Sequence, residues 1–335
     1  MRRALVIGKF MPLHRGHQLL IDAALADCDD VTVVVYDSRP PGRYPPMPLE
    51  QRLGWVTQLY PQLEQVVGLP DPLAAPANED PANAGVYASQ LVFLGTFDRF
   101  YSSEPAYERF AGLLGAEHVV LDASRELVPV SGSLVRADPY RYRALMSPLV
   151  YSSLVRRVAL VGTESTGKST LARVLAERLD TLWVHEYGRE LWEAQGLQGS
   201  FADHWRIAER QRRREEAAAV HAREFLFCDT TAWTTLQWSL NSYGYADTRL
   251  HQLVEATMGD YLWVVCDNDF GWVQDGTREL DGTLSAAFQQ RQLDDLSARG
   301  VDFVVVSGSV EQRVAQLTAH LGEDGASVSA QLAQT

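Results

Sequence analysis

The chain has three cysteines in 335 residues, no long basic run, and no apolar stretch long enough to cross a bilayer. Each scarcity excludes something. Cys28, Cys228 and Cys266 lie in or beside apolar runs without CxxC spacing. That is the pattern of buried thiols rather than of a disulfide framework, and a chain of this size needs no disulfides. A membrane helix requires roughly 18 apolar residues in succession, and the apolar run after Arg2 and Arg3 is too short for a secretory signal. A cytoplasmic protein is expected. The 30 Lys and Arg against 43 Asp and Glu leave a formal net charge of −13. Nonspecific binding to nucleic acid or anionic membrane is thereby disfavoured, so an anionic ligand must be held by a positive site built locally.

Short β-branched runs alternate with amphipathic stretches, the pattern of a parallel sheet covered by helices. In the first half, ALVIG (4–8), VTVVVY (31–36), RFYSS (99–103) and HVVLD (118–122) read as strands. Residues 14–27 have helical periodicity, with Leu19, Leu20, Ala23 and Ala24 on one face, and a further helix is expected near 105–114. The Pro-rich segments 39–48 and 69–85 read as loops, the first carrying Arg39 and Arg43 where they could close over a phosphate chain. In the second half, strands are expected at 156–162, 181–185, 224–229, 261–267 and 301–307. The expected fold is α/β with two doubly wound parallel-sheet domains, 1–150 and 155–322, and a polar, disordered tail at 323–335.

Residues 162–170 read GTESTGKST, matching GxxxxGK[ST] between an apolar strand and a helical pattern, the context that a phosphate-cradling loop demands. Gly162, Thr163, Glu164, Ser165, Thr166, Gly167, Lys168, Ser169 and Thr170 would wrap ATP. Backbone N–H groups and the helix N-terminus would face the phosphates, Lys168 the β and γ groups, and the Ser169 hydroxyl a Mg²⁺ ion. Asp229, ending the run FLFCD, is the candidate metal carboxylate and Glu186 in HEYGRE the candidate base; with Tyr187 and Arg189 beside Glu186, these four are also the candidate contacts to the acceptor of the phosphoryl group. Segment 267–280 supplies Arg278 as a candidate lid cation and Trp272 as a candidate for stacking on a base.

Near the N-terminus, GKFMPLHRGH (8–17) sets His14 and His17 three apart at a strand–loop–helix junction. Without a third ligand nearby, and without the HExxH form, the pair suits phosphate binding at a helix N-terminus better than metal. VSGSLVR (130–136) supplies a second anion turn: Ser131, Gly132 and Ser133, with Arg136 one turn on.

The two motifs resemble the (H/T)xGH and ISSTxxR-like signatures of the nucleotidylyltransferase superfamily. Followed by a P-loop kinase with EYGRE, an Asp-Thr after a strand and WVQDGTR, the chain resembles the NadR family across residues 3–320. The resemblance implies a Rossmann-like nucleotidylyltransferase joined to a P-loop kinase. The second half would phosphorylate nicotinamide riboside with ATP and Mg²⁺, and the first would adenylylate the resulting mononucleotide (NMN) to NAD. It carries Gly8, Lys9, Phe10, His14, His17, Ser131, Gly132, Ser133 and Arg136 to the first ATP site, and Arg52 and Trp55 to the nicotinamide nucleotide. Some relatives carry a DNA-binding helix-turn-helix. With the first motif at residue 8 no room is expected for one, so DNA is not an expected partner, whereas a homo-oligomer is compatible with the pattern. A kinase with a nucleotide-sensing first domain, or adenylylation of another phosphorylated acceptor, stands as the alternative.

Overall fold

The computed structural model describes residues 1–38, 46–73, 80–196, 199–269 and 282–324. The chain divides into two compact units, Met1–Leu154 and a second beginning at Val155. In the first unit, β1 (Arg3–Gly8), β2 (Asp30–Asp37), β3 (Gln65–Pro70), β4 (Arg99–Ser102) and β5 (Glu117–Val120) form a parallel sheet in the order β3-β2-β1-β4-β5. Ala4, Leu5 and Val6 of β1 are fully buried, because helices cover both faces of such a sheet and its central strands must be apolar throughout. Leu5, Val34 and Phe100 pack against Leu91, Phe110 and Ala111. Strands are added on one side of β1 and then on the other, so the carboxyl ends of β1 and β4 flank a topological switch point, where ligands bind in open α/β sheets.

β3 departs from the sequence expectation. Its last two residues fall inside 69–85, read above as a loop. β3 is an edge strand with β2 as its neighbour, and an edge tolerates the missing Pro70 N–H. Helix Ala84–Gln90 starts within the same stretch. Helix Arg15–Asp27 buries Leu20, Ile21 and Ala24, so its buried face is turned from the expected one.

In the second unit, β6 (Arg156–Val161), β7 (Leu182–Val184), β8 (Phe225–Asp229), β9 (Tyr261–Cys266) and β10 (Phe303–Val306) form a second parallel sheet, ordered β10-β9-β6-β8-β7. Val158, Leu160, Phe227 and Val264 meet Leu171, Leu175 and Leu317 from the covering helices. The carboxyl ends of β6 and β8 flank this sheet's switch point. Helix Val310–Asp324 runs two residues into the segment expected as a tail. Of the cysteines, Cys228 and Cys266 are buried and Cys28 only partly so. No helix among the described residues is long and apolar enough to cross a membrane.

Candidate active sites

A cavity of about 550 Å³ opens at the first switch point. Gly8, Lys9, Phe10, His14, His17, Ser131, Gly132, Ser133 and Arg136 all line it, as do Ser102, the last residue of β4, and Ser103. The two motifs, more than a hundred residues apart, therefore share one space. His14 caps helix Arg15–Asp27, and the two imidazoles stack with centroids 3.8 Å apart. The His14 backbone N–H donates to His17 Nδ1 at 3.3 Å, which leaves the His17 proton on Nε2. His14 Nδ1 is buried without a hydrogen-bond partner among the described residues, a group that a ligand would satisfy. A Cβ on Gly16 would lie 3.1 Å from the His14 ring, so the residue immediately before His17 must be small. Facing them, the Ser131 hydroxyl accepts from Leu134 N–H at 3.3 Å and contacts Ser133 Oγ at 2.9 Å, while Arg136 donates to the Met11 carbonyl at 2.8 Å.

Burial pushes His14 down to about 4, aided by the charges of Arg125 and Arg136. Burial, then His14 and Arg125, hold His17 well below the usual imidazole range. Both are neutral donors at pH 7. The unfolded chain takes up these protons near pH 6.5, whereas folded His14 does so only near pH 4. Stability is therefore whole above about pH 6.5 and is lost as the pH falls toward 4, by about 3 kcal/mol through His14 alone. Hydrogen exchange over Arg15–Asp27, corrected for intrinsic rates, is expected to speed up between pH 7.5 and 5, and less so in His14→Gln.

Arg125 was not singled out by sequence. It sits in a left-handed turn (φ 56°), donates to Glu104 at 3.0 Å and directs its field at both histidines. A lone Arg in a loop carries no sequence signal. The cavity also has an aromatic wall: Tyr36 and Tyr87 meet edge to face at 5.3 Å beside Tyr107, and the Tyr87 hydroxyl donates to Asp71 at 2.6 Å.

Arg52 and Trp55 are placed differently from expectation, because neither lines this cavity. Arg52 is 1% exposed; its guanidinium donates to the carbonyls of Met47, Lys9 and Tyr36 and to Asp37. Trp55 is buried, with Nε1 donating to Ser153 Oγ at 3.1 Å. The helix Leu49–Leu59 turns both inward, where Arg52 braces the loop after β1 through the Lys9 carbonyl. Arg52→Ala removes the side-chain donor from the Met47, Lys9 and Tyr36 carbonyls and from Asp37; the Tyr36 carbonyl still accepts from the Ser38 N–H, and a buried carbonyl left unpaired costs about 1–3 kcal/mol. The expected result is a large fall in the unfolding midpoint, not a selective rise in KM for an acceptor.

The second cavity, of about 280 Å³, lies at the end of β6. Glu164, Ser165, Gly167, Lys168, Ser169 and Thr170 line it. Gly162 (φ 134°) has no alternative, since a Cβ there would lie 2.7 Å from the Cys266 carbonyl. Thr163 and Thr166 are buried behind the loop. Gln289 accepts from the Thr163 N–H and hydroxyl and donates to the Cys266 carbonyl, and Lys168 Nζ donates to the Thr163 carbonyl at 2.7 Å.

Glu186, Gly188 and Arg189 form the opposite wall, the Arg189 guanidinium 3.8 Å from the Glu186 carboxylate. Burial, then the neighbouring Asp229, raise the Glu186 carboxyl; burial also raises Asp229, against the pull of Lys168 and a hydrogen bond from Ser169. Asp229 Oδ1 is buried without a partner among the described residues. A Ser169 hydroxyl beside a carboxylate with an unused oxygen fits a divalent cation. No cluster of three or more His, Cys, Asp or Glu side chains suited to a metal occurs among the described residues.

Sequence reading missed the remainder of this wall. Trp192, Glu193, His204, Ile207, Thr234, Thr235 and Trp238 come from three helices, Tyr187–Ala194, Phe201–Ala219 and Ala232–Tyr243. Tyr187, by contrast, does not line the cavity. Its N–H donates to Gln211 and its ring lies 4.6 Å from the Arg214 guanidinium carbon. Arg39, Arg43, Trp272 and Arg278 lie outside the described residues.

Comparison with known proteins accords with both halves. Residues 5–72 match the cytidylyltransferase-like family and residues 157–313 an AAA domain family. The trifunctional NAD biosynthesis/regulator protein NadR of Salmonella typhimurium is 29% identical over 327 residues, covering 90% of this chain and 78% of that protein. Its Escherichia coli counterpart is 28% identical over 328 residues with the same coverage. Crystal structures of NadR with NAD and AMP-PNP, and with NR, superpose with a TM-score of 0.59 each, at 20% and 22% identity, over 96% of this chain and 95% of theirs.

Proposed function

We propose that this NadR homologue, a nucleotidyltransferase-like domain joined to a nucleotide-binding kinase-like domain and acting in NAD biosynthesis, makes NAD in two successive reactions. The second domain transfers the γ-phosphoryl group of ATP to the 5′ hydroxyl of nicotinamide riboside, giving NMN and ADP. The first domain joins the NMN phosphate to the α-phosphorus of another ATP, giving NAD and releasing pyrophosphate.

In the kinase reaction, Glu186 accepts the proton of the 5′ hydroxyl as it attacks. Desolvation and the neighbouring Asp229 raise its carboxyl above the usual carboxylate range, which strengthens it as a proton acceptor. Lys168 draws the β and γ phosphates to the loop, and Mg²⁺, held by Ser169 and Asp229, offsets phosphate charge when bound. The rings of Trp192 and Trp238 with the Glu193 carboxylate suit a flat, cationic nicotinamide. In the adenylyl transfer, His17 Nε2–H and the His14 ring donate to the triphosphate, and Arg125 and Arg136 offset its charge. The aromatic wall of Tyr36, Tyr87 and Tyr107 with Asp71 is the candidate seat of the nicotinamide.

The observation that carries the reading is the joint presence, on one chain, of the stacked histidine pair that shares a cavity with the Ser131–Ser133 turn and of a phosphate loop facing Glu186 and Asp229. The half-reactions test it separately. With ATP and Mg²⁺, the purified protein is expected to convert nicotinamide riboside to NMN and ADP, and, in a second vessel, NMN to NAD and pyrophosphate. Failure of one half removes that domain's assignment.

A further inference from the structure

Arg313, on helix Val310–Asp324, is 1% exposed although no motif points to it. Its guanidinium donates through Nε to the Gly308 carbonyl at 2.9 Å, through one terminal nitrogen to the Thr166 carbonyl at 2.7 Å, and through the other to the Asp267 carbonyl at 3.0 Å and the Asp269 carboxylate. The Asp269 carboxylate in turn accepts from the Gly308 N–H. A planar fork with five N–H donors can serve such a set, and an ammonium on a flexible stem cannot.

The bond to Thr166 has a consequence for the loop. A trans peptide is planar, so the Thr166 carbonyl and the Gly167 N–H point in opposite directions. Arg313 draws the carbonyl toward the buried side, and Gly167, at φ 79°, lines the cavity on the other. Backbone N–H groups turned into such a concavity form an anion-binding nest. Gln289 accepts from the Thr163 N–H three residues earlier, a contact of the opposite direction, which leaves the Thr166 carbonyl to Arg313.

We propose that Arg313 is a positioning residue of the kinase-half nucleotide site: by holding the Thr166 carbonyl it aims the Gly167 N–H at the phosphates of ATP. The proposal rests on the phosphate-loop reading of that half. It is tested by calorimetric titration of the full chain with AMP-PNP and Mg²⁺, Lys168→Ala marking which binding event belongs to this site. A misaimed donor to a charged phosphate costs about 10-fold or more in affinity. Arg313→Lys is therefore expected to raise this Kd about 10-fold without altering the other binding event, and millimolar guanidinium to restore much of the affinity of Arg313→Ala. An Arg313→Lys Kd within twofold of the original would overturn the proposal. So would an Arg313→Ala chain, folded by thermal melting, whose weakened binding guanidinium leaves unchanged. Should Arg313→Ala not fold, the Lys variant decides alone. The titration needs no acceptor, so a chain that fails to phosphorylate the riboside would remove the functional reading while leaving this test intact.

Discussion

Lys168→Ala is expected to lower phosphorylation of nicotinamide riboside by about 10³-fold and to leave NMN adenylylation within about twofold. Lys168 is the cation that lines the second cavity from within its phosphate loop, and its amine is held 2.7 Å from the Thr163 carbonyl. It faces Glu186 and Asp229, whose charges it offsets. Without it, ATP would bring its phosphates against two carboxylates, so binding and turnover both fall. Separate assays of the two half-reactions check this. An equal loss in both would point to general unfolding, and no loss in the kinase half would show that the loop is not where phosphoryl transfer occurs.

His17→Ala is expected to produce the converse, a fall in adenylyl transfer of about 10²–10³-fold with the kinase half unchanged. The imidazole is aimed before any nucleotide arrives: its Nδ1 accepts from the His14 backbone, its face stacks on the His14 ring, and Phe10 lies 4.8 Å away. A donor held this way needs little reorganisation as charge grows on the leaving pyrophosphate. The loss is expected mainly in kcat. A change confined to KM for ATP would mean that His17 binds the ground state and transition state equally.

What could be read from sequence follows from how local each signal is. Strand, glycine-rich turn and helix are adjacent in 156–178, and the turn's geometry forces Gly162, so the phosphate loop was legible along with its neighbours in space. The histidines and the Ser131 turn were legible one by one, but their sharing a cavity depends on the strand order β3-β2-β1-β4-β5. Trp192, His204 and Trp238 lie on separate helices whose polar and aromatic residues look alike whether they face solvent, core or cavity. Arg52 was given to the nicotinamide nucleotide by family resemblance alone, and only tertiary contact reveals the three carbonyls its guanidinium serves instead. Arg313 gave no signal because its partners are mostly main-chain oxygens. Edge strand β3 was hidden by a proline that an interior strand would have refused.

The most direct test of two linked reactions on one chain is a single time course. Purified protein is incubated with nicotinamide riboside, excess ATP and Mg²⁺, and the nucleotides are separated chromatographically. The expected record shows NMN rising first and then falling as NAD accumulates, with ADP and pyrophosphate each formed in proportion. ATP consumed with neither NMN nor NAD appearing would contradict the account, and NMN accumulating to completion without NAD would contradict its first-domain half.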